Sequence, residues 1–342
     1  MFPDAPRTSA LSTMGIAATS FGGAIYGSNS TSSVLQSRAL ATVPLVPGAP
    51  GARHADTLEF LERSHSLGAR GVQTHINGDL RRVRLRAEEL GMWLEGMTAV
   101  RNSTPEQFER AILDAKAAGC SIARDAMLSG RRYESFNSLL EWNAWLKESY
   151  SIIDSALPVL EKHKFTLALE NHKDWTADEY LALFKKYSSE YLRACLDPGN
   201  NISLLDDPME LVEAIAPYTV TVHMKDMAVQ PAENGFEMSE VPLGTGVLDL
   251  PRMISSLENA NPGVHFALEM ITRDPLKVPC LTDHYWITFP DRNGVYLART
   301  LRFVNLSRCK RLPEVSGVST EEYERLETDN IRACFDYAKS QT

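Results

Sequence analysis

The chain has 342 residues, with 35 Lys and Arg against 44 Asp and Glu, so its formal net charge is −9. That deficit of cations argues against nucleic acid or an anionic membrane as the main partner, because phosphate binding needs an excess of positive charge. The composition, 44% hydrophobic and 23% charged, is that of a globular protein, and no run approaches the roughly 18 apolar residues of a membrane-spanning helix. The cysteines (Cys120, Cys195, Cys280, Cys309, Cys334) lie far apart with no C-x-x-C pair. They indicate neither a disulfide framework nor a cysteine zinc site, and a reducing compartment fits best. The first 25 residues carry one basic residue, Arg7, and the apolar run at 14–18 is short, so a cytoplasmic location is expected.

In chain order, a first strand is predicted at about 14–19, followed by a loop over about 20–53 rich in Gly, Ser, Thr and Pro. A helix over 57–67 stops at Gly68 before a strand at 71–76, and a helix over 79–90 stops at Gly91 before a strand at 92–97. Thr104, Pro105 and Gln107 have the form of a capping box with proline at the first helical position; that helix runs to Gly119, and a strand follows at 121–127. A long helix over about 138–162 leads to a strand at 165–170. A second capping box, Thr176 to Glu179, opens a helix to about 187, before a strand at 191–197. Asp207-Pro208 opens the next helix, the seventh strand spans 218–224, and a helix at 250–259 precedes the eighth strand at 264–270.

Eight strands alternating with helices, each strand a near-continuous apolar run, are the pattern of a closed (β/α)8, or TIM, barrel of the α/β class. The alternative, an open doubly wound sheet, normally carries a glycine-rich phosphate turn after its first strand, and Ser20 to Ala24 lacks that spacing. Residues 1–270 are therefore expected to form the barrel. Residues 271–342, with Tyr285, Trp286, Phe289, Tyr296 and Phe303, form a C-terminal extension packed on the barrel or on a neighbouring subunit.

In such a barrel, polar residues at the C-terminal strand ends face the active-site mouth. Strand two ends in His75, and the last four strands end in Glu170, Asp197, His223 and Glu269. Neighbouring strands lie about 4.8 Å apart, so these four side chains can converge. Three clustered carboxylates repel unless a cation or protons compensate them, which makes one divalent ion the economical reading: Mn2+ foremost, with Mg2+, Co2+ or Zn2+ also suited. Around this quartet, Lys225 can stabilise a developing enolate oxygen or pair with Asp226, and His172 can contact a substrate hydroxyl or act as an acid. Trp175 can offer its indole face to a sugar or pack in the core, His75 can contact substrate, and Arg124 with Asp125 reads as a barrel ion pair.

The runs ALENHKDW (168–175), CLDPGN (195–200), TVHMKD (221–226), PLGTGVLDL (242–250) and FALEM (266–270) resemble the xylose isomerase-like TIM barrel superfamily. That group holds sugar phosphate isomerases and epimerases, inosose dehydratases and the AP endonucleases of family 2. The resemblance implies that Glu170, Asp197, His223 and Glu269 hold one divalent metal ion. It also implies that Glu170 and Glu269 exchange protons with opposite faces of a substrate carbon, beside a carbonyl that the metal polarises. The implied activity is isomerisation or epimerisation of a sugar or keto-sugar; the alternative is a dehydratase or lyase, for example on 3-keto-glycosides or inosose-like substrates, using the same site. Epimerases of the group often have histidine where this chain has Asn200, an amide that can hydrogen-bond a substrate hydroxyl but cannot titrate near neutrality. Repair-nuclease chemistry is disfavoured by the acidic charge, by Asn200 and by the absence of histidine from strand three. The group's habits imply a homo-oligomer, dimer or tetramer, with a small carbohydrate as the ligand.

Overall fold

Eight parallel strands close into a barrel in a computed structural model that describes residues 10–21, 56–309 and 311–341. The strands are β1 (Gly15–Ala17), β2 (Gly71–Thr74), β3 (Trp93–Met97), β4 (Ile122–Asp125), β5 (Thr166–Glu170), β6 (Leu192–Leu196), β7 (Thr219–Met224) and β10 (His265–Leu268). Each pairs in parallel with the next, and β10 returns to β1 through Gly15 opposite Ala267, which closes the ring. Every predicted barrel strand is present, shorter by a residue or more at one end or both. The loop expected over 20–53 lies, from residue 22 on, outside the described residues.

Helices α1 (Thr57–Ser66), α2 (Leu80–Leu90), α3 (Pro105–Ala117), α5 (Leu139–His163), α6 (Ala177–Tyr187), α7 (Pro208–Ile215) and α8 (Leu250–Ala260) follow the strands in turn, and a single turn, α4 (Arg132–Ser135), precedes α5. Local chemistry sets their starts: the Asp56, Asp79, Ser138, Asp207 and Asp249 side chains each accept a backbone N–H in the first turn. Both expected capping boxes form, Thr104 with Gln107 and Thr176 with Glu179. Ile16, Val72, Ala123, Leu167, Val222 and Phe266 are buried strand residues that fill the core. The barrel is not wholly apolar, because Gln73, Glu95 and Thr221 are also fully buried on its strands.

One element was not foreseen. At Met224 the chain leaves the barrel, and after Lys225 it runs into an antiparallel hairpin of β8 (Asp226–Ala232) and β9 (Gly235–Val241), which β11 (Leu276–Val278) joins as a third strand. The turn is built on Gly235 at φ 146°, where an added Cβ would lie 2.2 Å from the Val278 carbonyl oxygen, so only glycine fits. The Asp226 carboxylate gathers the backbone N–H groups of Met227, Gly244, Gly246 and Leu248, tying the hairpin to the loop beyond it.

Residues beyond 270 pack on the barrel. Short α9 (Asp283–Trp286) inserts Tyr285, whose hydroxyl donates to the Ser203 carbonyl at 2.8 Å, and α10 (Gly294–Ser307) lies against β8. Buried Arg132 clamps this segment: its Nη2 donates to the Thr288 carbonyl at 2.5 Å, its Nη1 meets Glu179 at 2.6 Å, and its plane is sandwiched by Trp142 and Phe289. Helix α11 (Thr320–Ser340) buries Ile331, Cys334, Phe335 and Ala338 in the core beside the segment that precedes β1. Tyr323 and Asn330 of the same helix hydrogen-bond to Thr272, just beyond β10. Among the described residues no helix is long and apolar enough to cross a membrane.

Candidate metal centre

Glu170, Asp197, His223 and Glu269 come from the ends of β5, β6, β7 and β10, and one ligand atom from each lies within 4.8 Å of the others. All four are buried, at 3% exposure or less. His223 Nδ1 stands 3.3 Å from Glu269 Oε2 and 3.5 Å from Glu170 Oε1. Lys225, two residues beyond His223, reaches into the same cluster: its Nζ is 2.6 Å from Asp197 Oδ2 and 2.5 Å from Glu269 Oε2. The sequence alternative for Lys225, an ion pair with Asp226, is not formed, because successive strand residues point to opposite faces.

A chain of hydrogen bonds dictates which imidazole nitrogen faces the carboxylates. The Gln73 amide nitrogen donates to Glu95 Oε2 at 2.9 Å, and a carboxylate can only accept, so Gln73 Oε1 is the atom turned toward His223. His223 Nε2 lies 2.7 Å from that oxygen and must donate to it. Nδ1 is thus the nitrogen left to take a proton or a metal ion, and it is buried with no hydrogen-bond partner of its own. Glu95 is fixed in turn by the Thr221 hydroxyl at 2.9 Å and by His265 Nδ1 at 2.8 Å. An imidazole so oriented, facing three carboxylates in a buried pocket, fits a divalent cation by its donor set and by the outer hydrogen bond that holds the ligand in place.

The electrostatics agree. Burial opposes charge on Glu170, yet the Arg124 guanidinium and then His223 outweigh it and hold this carboxyl well below the usual range. Glu269 is likewise held low against burial by His223 and Lys225. For His223, burial is overcome by the neighbouring Cys195 sulfur and by the Glu269 and Glu170 carboxylates, which raise the imidazole well above its ordinary value. Burial pushes Asp197 up to about 6 despite Lys225. In the metal-free protein, therefore, a proton on His223 and the Lys225 ammonium supply the positive charge that a metal ion would supply.

The other expected site residues divide. Asn200 is in the cluster: its amide donates to Glu170 Oε1 at 3.2 Å, and its carbonyl oxygen accepts from the buried Lys173 ammonium. His172 Nδ1 donates to the Leu128 carbonyl at 2.8 Å, and burial drives the imidazole down to about 3 even with Glu170 nearby. It is neutral, with Nε2 as a hydrogen-bond acceptor, which suits contact with a hydroxyl and not service as an acid. His75 is exposed at the end of β2, with Nδ1 3.2 Å from the Met97 carbonyl.

Trp175 departs from the substrate-binding expectation. It is 1% exposed, and its indole is enclosed by Trp142, Trp145 and Tyr150 under α5, leaving no face for a sugar. The ion pair expected between Arg124 and Asp125 is also not formed. Asp125 accepts from the Thr98 hydroxyl and the Val100 N–H, whereas Arg124 turns to the opposite face and donates to Glu170 Oε2 through Nε at 2.5 Å and through Nη2. Gln73 and Lys173, which lie beside the quartet, were not among the sequence candidates, and Arg124 was read only as a partner of Asp125.

The fold and its rim are those of a parallel (β/α)8 barrel with four potential metal ligands gathered at the strand ends. The family described as "Xylose isomerase-like TIM barrel" matches residues 61–287, and the chain belongs to it. A curated relative, 3-oxo-isoapionate decarboxylase of Pectobacterium atrosepticum, is 31% identical over 180 residues, which cover 52% of this chain and 61% of that protein. Among solved structures, a xylose isomerase-like TIM barrel protein from Mycobacterium smegmatis in complex with magnesium aligns with a TM-score of 0.53 at 14% identity, over 87% of this chain and 99% of its own. D-psicose 3-epimerase from Clostridium cellulolyticum, solved with D-tagatose, aligns with a TM-score of 0.53 at 13% identity, over 84% of this chain and 94% of its own. At such identities the structures share the fold.

Proposed function

We propose that this protein is a divalent-metal-dependent enzyme that moves a proton at the carbon beside the carbonyl of a carbohydrate-derived substrate, as an isomerase or epimerase. The observation that carries the reading is the convergence of Glu170, Asp197, His223 and Glu269 with His223 Nδ1 turned into the cluster by Gln73. A bound Mn2+ or Mg2+ would supply Lewis acidity, drawing electrons from the carbonyl and acidifying the neighbouring C–H. Glu170 and Glu269, each within 3.5 Å of His223 Nδ1, would be the bases that take that proton and return it. Lys225 is the cation beside the developing oxyanion, and Asn200, His172 Nε2 and His75 are the groups available to substrate hydroxyls. Arg124 keeps Glu170 ionised and aimed. The free thiols of all five cysteines suit a cytoplasmic enzyme.

A second reading, cleavage of a carbon–carbon or carbon–oxygen bond through the same enolate, is favoured by the decarboxylase relative. Incubating the Mn2+- or Mg2+-loaded protein with ketoses, keto-sugar acids and 3-keto-glycosides in deuterated water separates the two by NMR. Deuterium at the carbon beside the carbonyl with the skeleton intact supports the isomerase; release of carbon dioxide, water or an aglycone supports the lyase. Bound metal with neither outcome, or turnover that survives in both Glu170→Gln and Glu269→Gln, overturns the proposal.

A further inference from the structure

Lys173 is an anomaly beside the metal quartet. It is 4% exposed, and its ammonium donates to the neutral Asn200 amide oxygen. Among the described residues no carboxylate lies within ion-pairing distance of it, whereas the other cations of the cluster are all paired: Arg124 with Glu170, Lys225 with Asp197 and Glu269, Arg273 with Glu240. An unpaired buried ammonium is costly unless something else compensates it. Burial, then repulsion from Lys225 and Arg273, draws its pKa down to about 8, which leaves it charged at neutral pH. The backbone pays a further cost, for Lys173 sits at φ 61°, in the left-handed region that non-glycine residues avoid.

The charge count points the same way. Arg124, Lys173, Lys225 and Arg273 face Glu170, Asp197, Glu240 and Glu269, four cations against four carboxylates. On the metal reading above, on which this inference rests, a divalent ion adds two positive charges that these protein groups do not offset. Asn200 bridges the two halves, donating to Glu170 while accepting from Lys173, so the spare ammonium stands one side chain away from the metal ligands.

We propose that Lys173 is a specificity-determining residue that receives an oxyanion of the substrate, so that the enzyme acts on an acidic carbohydrate, a sugar acid or a sugar phosphate, in preference to a neutral sugar. Titration calorimetry of the full chain, with and without Mn2+, tests this with L-threonate against threitol and glycerol 3-phosphate against glycerol. The charged member of a pair should bind at least tenfold tighter, and the pair that discriminates more strongly identifies carboxylate or phosphate as the oxyanion. Lys173→Met should abolish the discrimination while Mn2+ affinity is kept or increased, since a neighbouring positive charge has been removed; Lys173→Arg should preserve it. Wild-type protein that binds threitol as tightly as threonate and glycerol as tightly as glycerol 3-phosphate, or that binds none of the four, overturns the proposal. So does a folded Lys173→Met protein that still discriminates. Failure to bind Mn2+ sinks the metal reading instead, while discrimination by the metal-free protein still reports on Lys173.

Discussion

Replacing Gln73 by leucine, of similar volume, tests whether the buried column behind His223 sets metal affinity. The change removes two hydrogen bonds, from His223 Nε2 at 2.7 Å and to Glu95 Oε2 at 2.9 Å. Glu95 keeps the Thr221 hydroxyl and His265, so the fold should survive with a loss of about 1–3 kcal/mol for the partners left unsatisfied. His223 suffers more specifically. Without Gln73 the imidazole is free to turn or to carry its hydrogen on Nδ1, and outer-shell losses of this kind weaken metal binding by about 10–100-fold, or roughly 1.4–2.8 kcal/mol. Competition with a fluorescent chelator measures the affinity, and the imidazole 15N shifts of His223 in the metal-free protein report which nitrogen carries hydrogen. Affinity within about twofold of wild type, with the tautomer unchanged, would refute the argument, because the Gln73 contact is what assigns Nδ1 to the metal.

Two further outcomes follow from the same site and its support. Because the Cys195 sulfur and the Glu269 and Glu170 carboxylates raise His223 well above its ordinary pKa, a metal ion must displace a proton from it. Binding should therefore release at least one proton and weaken as pH falls, by up to about tenfold per pH unit for each proton displaced. Calorimetry in buffers of different ionisation enthalpy counts the protons, and a count of zero rejects the assignment. Arg132→Met removes the buried guanidinium from the Thr288 carbonyl and from half-buried Glu179, which keeps its hydrogen bonds from Thr176, so the cost should be about 1–3 kcal/mol. A urea midpoint unchanged by the substitution would show that Arg132 does not hold the segment beyond residue 270 in place.

The barrel was legible because most strands are largely apolar runs and the long helices between them start at side-chain caps. Strand ends were legible to within a few residues, and that placed Glu170, Asp197, His223 and Glu269 at one rim. What could not be read was the choice of partner. Lys225 lies beside Asp226 in sequence but meets Asp197 and Glu269 in space, and Arg124 leaves Asp125 for Glu170, because alternation along a strand separates neighbours that the linear text joins. Gln73 and Glu95 sit inside strands read as core, and their polarity was the unused signal of a hydrogen-bonded column. The β8–β9 hairpin left a cue in Asn234-Gly235, but Pro231 and the mixed polarity of the flanking residues obscure the alternation that marks a strand. Trp175 follows a catalytic-looking glutamate by five positions, yet the loop turns its ring under α5, which composition alone does not reveal.

Asp174 offers a check on the electrostatics of this loop that needs no metal. Its side chain is fully buried; Oδ1 accepts the Trp175 N–H at 2.8 Å, while Oδ2 has no partner. Burial is the largest influence on it; the Trp175 N–H opposes the shift, the Glu170 charge adds to it, and together they bring the carboxyl up to about 7 from 3.8. Between those two values the folded protein keeps a proton that the unfolded chain has lost, so stability should fall as pH rises through this window and level off above it. At 1.36 kcal/mol per unit the full effect is about 4 kcal/mol, an upper bound if the loop admits water at high pH. Asp174→Asn cannot ionise and should remove this share of the pH dependence. Urea unfolding of both metal-free proteins between pH 4.5 and about 8 therefore reads Asp174 as a difference that cancels the titration of Asp197 and the other buried groups. Parallel curves for wild type and variant would mean that Asp174 is ionised in the folded protein and that burial does not hold its proton.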